Sequence, residues 1–116
     1  MDVSLLLRQL HQHPIAYYPC YADMMGSVSG GVVLSQLMFH YGRRGNKFRR
    51  NDKQLLQETH VTIRELREAK RKLKTLTFLK ITVEGLPAVT WYEVLPEELA
   101  EALSVPASLN DAVQTS

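Results

Sequence analysis

Cysteine occurs once, at Cys20, so no intrachain disulfide can staple this 116-residue chain. A lone thiol suits a reducing cytoplasm, which is the expected location. No apolar run approaches the roughly 20 residues that a membrane-spanning helix needs. The longest candidate, Val28 to Tyr41, is interrupted by Ser29, Gly30, Gly31, Ser35, Gln36 and His40. The first residues show no basic stretch followed by an apolar one and a small-residue cleavage site, so no signal peptide is expected. Also missing are a Gly-rich phosphate loop, a nucleophile elbow and a paired-carboxylate arrangement, and the expectation is a protein that is not an enzyme. His11 and His13 have no third ligand nearby, so neither a metal nor any other cofactor is expected.

Acids are scarce in one place only. Thirteen of the fourteen Lys and Arg residues lie between Arg43 and Lys80, where only Asp52, Glu58, Glu65 and Glu68 oppose them. That segment carries a net charge of +9 and the remainder −7, although the whole chain is only +2. A charge separation of this size costs self-repulsion, and a polyanionic partner is the usual compensation. A solvated helix face laced with salt bridges is the plainer explanation, but the segment has too few acids to pair its bases. With 45% hydrophobic and 22% charged residues the chain is otherwise an ordinary globular sequence, long enough for one modest core.

Local patterns predict the elements in order. Val3, Leu6, Leu7 and Leu10 have helical spacing over residues 2–12, and His13-Pro14 stops that helix. Ile15 to Tyr18 reads as extended, Pro19 opens a brief helix through Met25, and Gly26 closes it. Ser27 caps a central core helix, Val28 to Tyr41, in which Gly30-Gly31 marks close packing against a neighbour. Gly42 to Asn46 reads as a turn and Lys47 to Arg50 as a short strand with Phe48 inward. Asn51 with Gln54, and Thr62 with Glu65, are capping-box pairs opening helices over Asp52 to Thr59 and from Thr62 to about Thr75 or Leu76. The second of these has an apolar stripe, Leu66, Ala69, Leu73 and Leu76, and a cationic stripe, Arg64, Arg67, Arg71 and Lys74. Leu79–Val83 and Val89–Val94 form a β-hairpin around Glu84–Ala88, with either Trp91 or Tyr92 facing the core. Pro96 starts a last helix over Glu97 to Leu103, and the polar tail, 104–116, is expected to be disordered. Cys20 is expected to be buried or half-buried, and Tyr17, Tyr18 and Tyr21 to pack around the long helix.

Helix, short turn, basic helix and hairpin, read over residues 51–94, is the order of a winged helix-turn-helix. The chain resembles that family, and within it the replication-associated DNA-binding domains of phages and plasmids. The resemblance rests on Pro14-Ile15-Ala16-Tyr17-Tyr18-Pro19, Gly26-Ser27, Leu34-Ser35-Gln36-Leu37 and Asp52-Lys53-Gln54-Leu55. It continues through Glu68-Ala69-Lys70-Arg71-Lys72-Leu73-Lys74 and Leu86-Pro87-Ala88-Val89-Thr90-Trp91-Tyr92. At Thr77-Phe78 the chain departs from the pattern, where many relatives place a helix-ending glycine. The implied fold class is mainly α with a small β-hairpin (α+β): a single domain, 1–103, with its core over 14–95 and flanking helices over 2–12 and 97–103.

The resemblance implies a double-stranded DNA-binding protein of phage, plasmid or other mobile-element type, acting in replication initiation or transcriptional control. Thr62, Ile63, Arg64, Arg67, Glu68 and Arg71 project from the exposed side of the recognition helix. Thr62, Arg64, Arg67 and Arg71 are candidates for base contact, because guanidinium can bond a guanine edge bidentately. Arg71 shares with Lys70 and Lys74 a second candidate role, as a phosphate ligand. Lys53, Arg43, Arg44, Lys47, Arg49, Arg50 and Lys80 would extend the contact along the DNA backbone. The wing, EGLPA, offers no cation. Such modules usually dimerise, and the flanking helices, with Leu99 and Leu103 in the second, are candidate interfaces. The alternative is a winged-helix protein-interaction module that recruits or inhibits a replication or transcription protein. Single-strand or RNA binding fits less well, since no exposed aromatic platform accompanies the basic stripe.

Overall fold

A computed structural model describes residue 3 and residues 15–103 of the chain. The expected helix over 2–12, apart from Val3, the His11/His13 pair and the tail lie outside the described residues. The fold is mixed α+β, with helices packed on a three-stranded antiparallel sheet.

Helix α1 (Pro19–Met25) starts on its proline and ends at Gly26, whose N–H donates to the carbonyl of Ala22 at 2.8 Å. The Ser27 hydroxyl then accepts from the Gly30 N–H at 3.0 Å and caps α2 (Val28–Arg44). The two helices pack almost backbone to backbone. A Cβ placed on Gly31 would fall 2.7 Å from both Cα and N of Ala22. The buried Ser35 hydroxyl donates to the Gly31 carbonyl at 2.7 Å and accepts from the Tyr18 N–H at 3.2 Å, tying the extended 15–18 segment to α2.

The expected turn over Gly42–Asn46 is corrected: α2 runs on through Arg44 and stops at Gly45. An exposed Gly42 costs a helix only about 1 kcal/mol, while Arg43 and Arg44 suit its negative C-terminal end. The positive φ of 93° occurs at Gly45, so the chain turns there. Strand β1 (Lys47–Arg49) points Phe48 inward, and Asn51 opens α3 (Asp52–Thr59) with its capping box to Gln54. After the left-handed His60, Thr62 and Glu65 form a second capping box at the start of α4 (Ile63–Leu73).

Helix α4 ends at Leu73, earlier than its apolar stripe suggests. The Lys74, Thr75 and Leu76 N–H groups donate to the carbonyls of Lys70, Lys72 and Leu73, and the Thr75 hydroxyl donates to the Lys72 carbonyl at 2.6 Å. This tightened turn satisfies the orphan carbonyls without a glycine and delivers Phe78 into the core. Strands β2 (Leu79–Glu84) and β3 (Val89–Val94) make the hairpin, and β1 adds to its other side, giving the order β1-β3-β2. The register sets Phe48, Tyr92 and Ile81 in one row on the inner face, and Arg49, Trp91 and Thr82 in the next on the outer face.

Val33, Leu34, Leu37, Leu55, Leu73 and Tyr92 are completely buried, and the Phe48 ring stacks on Tyr92 with centroids 5.9 Å apart. Two placements differ from expectation. Leu99, on the helical residues 96–103, belongs to this core, while Leu103 on the same helix is exposed. Among the three tyrosines only Tyr21 is buried; Tyr17, Tyr18 and Cys20 are exposed because α1 turns that edge outward.

Gly31→Ala is expected to destabilise the fold by about 1–3 kcal/mol, because the added methyl meets backbone that cannot yield without separating α1 from α2. Thermal or urea unfolding measures it. The buried Tyr92 hydroxyl has no hydrogen-bond partner among the described residues, and burial raises its pKa well above the ordinary 10.0, with the Asp52 charge adding to the effect. Tyr92→Phe is therefore expected to leave stability unchanged or raise it by up to about 1 kcal/mol in the same assay.

Candidate nucleic-acid interface

The candidate site is built on α4, whose two faces differ in chemistry. Leu66, Ala69 and Leu73 are buried against the core, and Arg64, Arg67, Arg71 and Lys74 line the opposite face in solvent. The stripe is cationic because the +3/+4 spacing returns these four basic side chains to the same side. The Arg64 side chain is 90% exposed, with its Nε 3.6 Å from the Glu68 carboxylate, an exposed i,i+4 contact of small energetic weight. Arg67, Arg71, Lys72 and Lys74 have no carboxylate within ion-pair distance among the described residues. Thr62 is exposed at the helix start, but its hydroxyl oxygen accepts the Glu65 N–H at 3.1 Å.

The other expected contacts divide into groups. Lys53 is exposed in the first turn of α3, and Arg43 and Arg44 are exposed at the end of α2, with the Arg43 guanidinium 5.5 Å from the Phe39 ring centroid. Lys47, Arg49 and Lys80 share the outer sheet face. There the Lys47 ammonium lies 5.3 Å from the Trp91 centroid and 3.4 Å from the Glu84 carboxylate, and Glu93 sits in register between Lys47 and Lys80.

Two of the expected DNA-backbone contacts, Lys70 and Arg50, are engaged by acids within the protein. Lys70 donates to Asp52 at 2.8 Å and its side chain is only 23% exposed, so it fastens α4 to the start of α3. Arg50 turns inward, and its guanidinium holds both oxygens of Glu58. In both cases a nearby acid captures the cation before solvent can.

Glu58 is the centre of a network that the sequence reading did not anticipate. Besides Arg50 it accepts from Gln36 Nε2 at 3.1 Å and from His40 Nε2 at 2.9 Å. One signal was available: Gln36 and His40 stand four residues apart on an otherwise apolar helix, which places both on one inward face. Burial is the largest influence on the His40 imidazole and holds its pKa below the ordinary 6.5, against the opposing bond to Glu58. Burial alone would raise the Glu58 carboxyl, but the bonds from Arg50, His40 and Gln36 together outweigh it and hold the pKa below 4.5.

Among the described residues no three His, Cys, Asp or Glu side chains converge on a metal-sized site, and no helix is long and apolar enough to cross a membrane. Comparison with protein-family models finds no match, and comparisons with curated proteins and with solved structures find none either.

Both network pKa values are depressed in the folded chain. The unfolded chain therefore takes up protons first, and stability is lost as pH falls. Urea midpoints are expected to be flat above neutrality and to decline below about pH 6.5, the ordinary histidine value, with a further decline below about 4.5 as carboxylates protonate. His40→Gln, which keeps an amide donor for Glu58, is expected to remove the upper decline and leave the lower one. An unchanged upper decline would locate it in another histidine.

Proposed function

We propose that the chain is a double-stranded DNA-binding module of the winged helix-turn-helix type, with α4 as the recognition helix and the β2–β3 hairpin as the wing. The observation that carries this reading is the exposed cationic stripe, Arg64, Arg67, Arg71 and Lys74, of which only Arg64 meets an acid among the described residues, on the outer face of a helix that follows another across a three-residue turn. The connectivity α2-β1-α3-α4-β2-β3, with sheet order β1-β3-β2, supports the same fold type. Arg64 and Arg67 lie in the first half of α4, where base edges are reached. Lys74 and Lys72 serve the phosphates, and Arg71 lies between the two groups. The proposed setting is cytoplasmic replication initiation or transcriptional control in a phage, plasmid or other mobile element. A second copy of the chain would place two such helices in successive major grooves.

The alternative of a protein-interaction module draws on the wing. Leu86 at its tip is fully exposed, Val83 is largely so, and Glu84–Ala88 contains no cation.

Duplex affinity measured against salt tests the DNA reading. Log K is expected to fall linearly with log salt, by about 0.9 for each phosphate neutralised. Arg64→Ala combined with Arg67→Ala is expected to weaken binding roughly tenfold or more. Arg71→Ala is expected to flatten the salt slope more than Lys70→Ala, whose cation Asp52 already holds. Unchanged duplex affinity in the double variant would remove this docking mode, and absence of duplex binding at low salt would leave the interaction module.

A further inference from the structure

The first turn of α4 contains one side chain without an evident structural task. Thr62 and Glu65 are consumed by the capping box, Leu66 is in the core, and Arg64 leans on Glu68. Ile63 remains. It is 58% exposed and is not part of the buried hydrophobic core. Isoleucine is also a poor choice for an exposed helical position, since its β-branch loses χ1 freedom against the helix backbone. Single exposed apolar residues are common on protein surfaces. This one stands between Thr62 and Arg64, at the end of the helix that is aimed at base edges in the reading above.

We infer that Ile63 is a specificity-determining residue that reads the C5-methyl group of a thymine in the major groove. The inference rests on the DNA-binding reading and deepens it by naming the base chemistry at one position. In the major groove the thymine methyl is the one apolar group that distinguishes base pairs, and apolar side chains recognise it. The rigidity that makes Ile63 a poor helix former suits this task. Its methyl groups occupy one strongly preferred rotamer, so little side-chain freedom remains to be lost on contact. The neighbouring guanidinium groups of Arg64 and Arg67 supply hydrogen bonds, and Ile63 supplies shape and dryness beside them. Burying about one methyl's worth of apolar surface corresponds to a roughly fourfold preference for thymine over a base lacking that methyl.

The experiment uses the full chain and duplexes recovered by it from a random pool. Each recovered duplex is resynthesised with uracil replacing thymine at one position at a time, which deletes only the methyl. The expected result is that one position, or a symmetric pair, weakens wild-type binding about fourfold when thymine becomes uracil. In Ile63→Ala the same replacement has no effect, and the variant binds the thymine duplex about as weakly as wild type binds the uracil duplex. Alanine is the better helix former at this exposed position, so the variant should melt no lower than wild type, which separates recognition from folding. Uracil replacement that is silent everywhere, or that costs Ile63→Ala as much as wild type, overturns the inference while leaving DNA binding intact. Failure to recover any duplex at low salt removes the DNA reading itself, and the inference with it.

Discussion

The carboxylate of Glu58 holds three elements in a fixed relation. It accepts from Gln36 and His40 on α2, from Arg50 just past β1, and it belongs to α3. The Glu58 side chain is only 22% exposed, its carboxylate is filled by these donors, and Arg50 supplies the compensating charge. Two residues beyond Glu58 the chain reverses at the left-handed His60 and enters α4. The direction of α4 is thus set at its near end by a polar clamp and along its length by Leu66, Ala69 and Leu73. The Lys70–Asp52 bond ties α4 directly to the start of α3. Such a network specifies one arrangement of α2, α3 and β1 more sharply than apolar contact would, because any other arrangement leaves a buried donor without an acceptor.

The four acids in the basic segment all have structural work. Asp52 ties Lys70, Glu58 ties Arg50, Glu65 completes a cap, and Glu68 meets Arg64. The positive field of the segment is therefore concentrated on the side chains the acids do not reach. Four of those, Arg67, Arg71, Lys72 and Lys74, lie together on and just past α4. The remaining cations on the sheet are interleaved with Glu84 and Glu93, so that face is nearer to neutral.

Much of this was legible in the chain before any coordinates. Both capping boxes were readable because Asn51/Gln54 and Thr62/Glu65 satisfy local donors at fixed spacing, independent of tertiary context. The apolar and cationic stripes of α4 followed from periodicity, and the inward Phe48 from alternation. Long-range pairings were not legible. Nothing local says that Arg50 finds Glu58 or that Lys70 finds Asp52, because those contacts exist only once α2, α3 and α4 have packed. The end of α2 was misjudged for a related reason: Gly42 and Gly45 look alike in sequence, and only Gly45 adopts the backbone conformation that requires glycine. Likewise Leu99 resembles a surface helix residue until the folded chain encloses it in the core.

The sheet described above is also closed to growth. Among the described residues no further strand pairs with its two outer strands, and such edges invite pairing with other chains. One of them, β1, is only three residues long, with a charged residue at each end and the Asn51 cap immediately after. The other, β2, alternates Lys80, Thr82 and Glu84 along its outer face. Neither offers the long, flat, apolar margin on which strands from a second molecule would accumulate. A crowded solution of this protein is therefore disfavoured from stacking into fibres through its sheet edges.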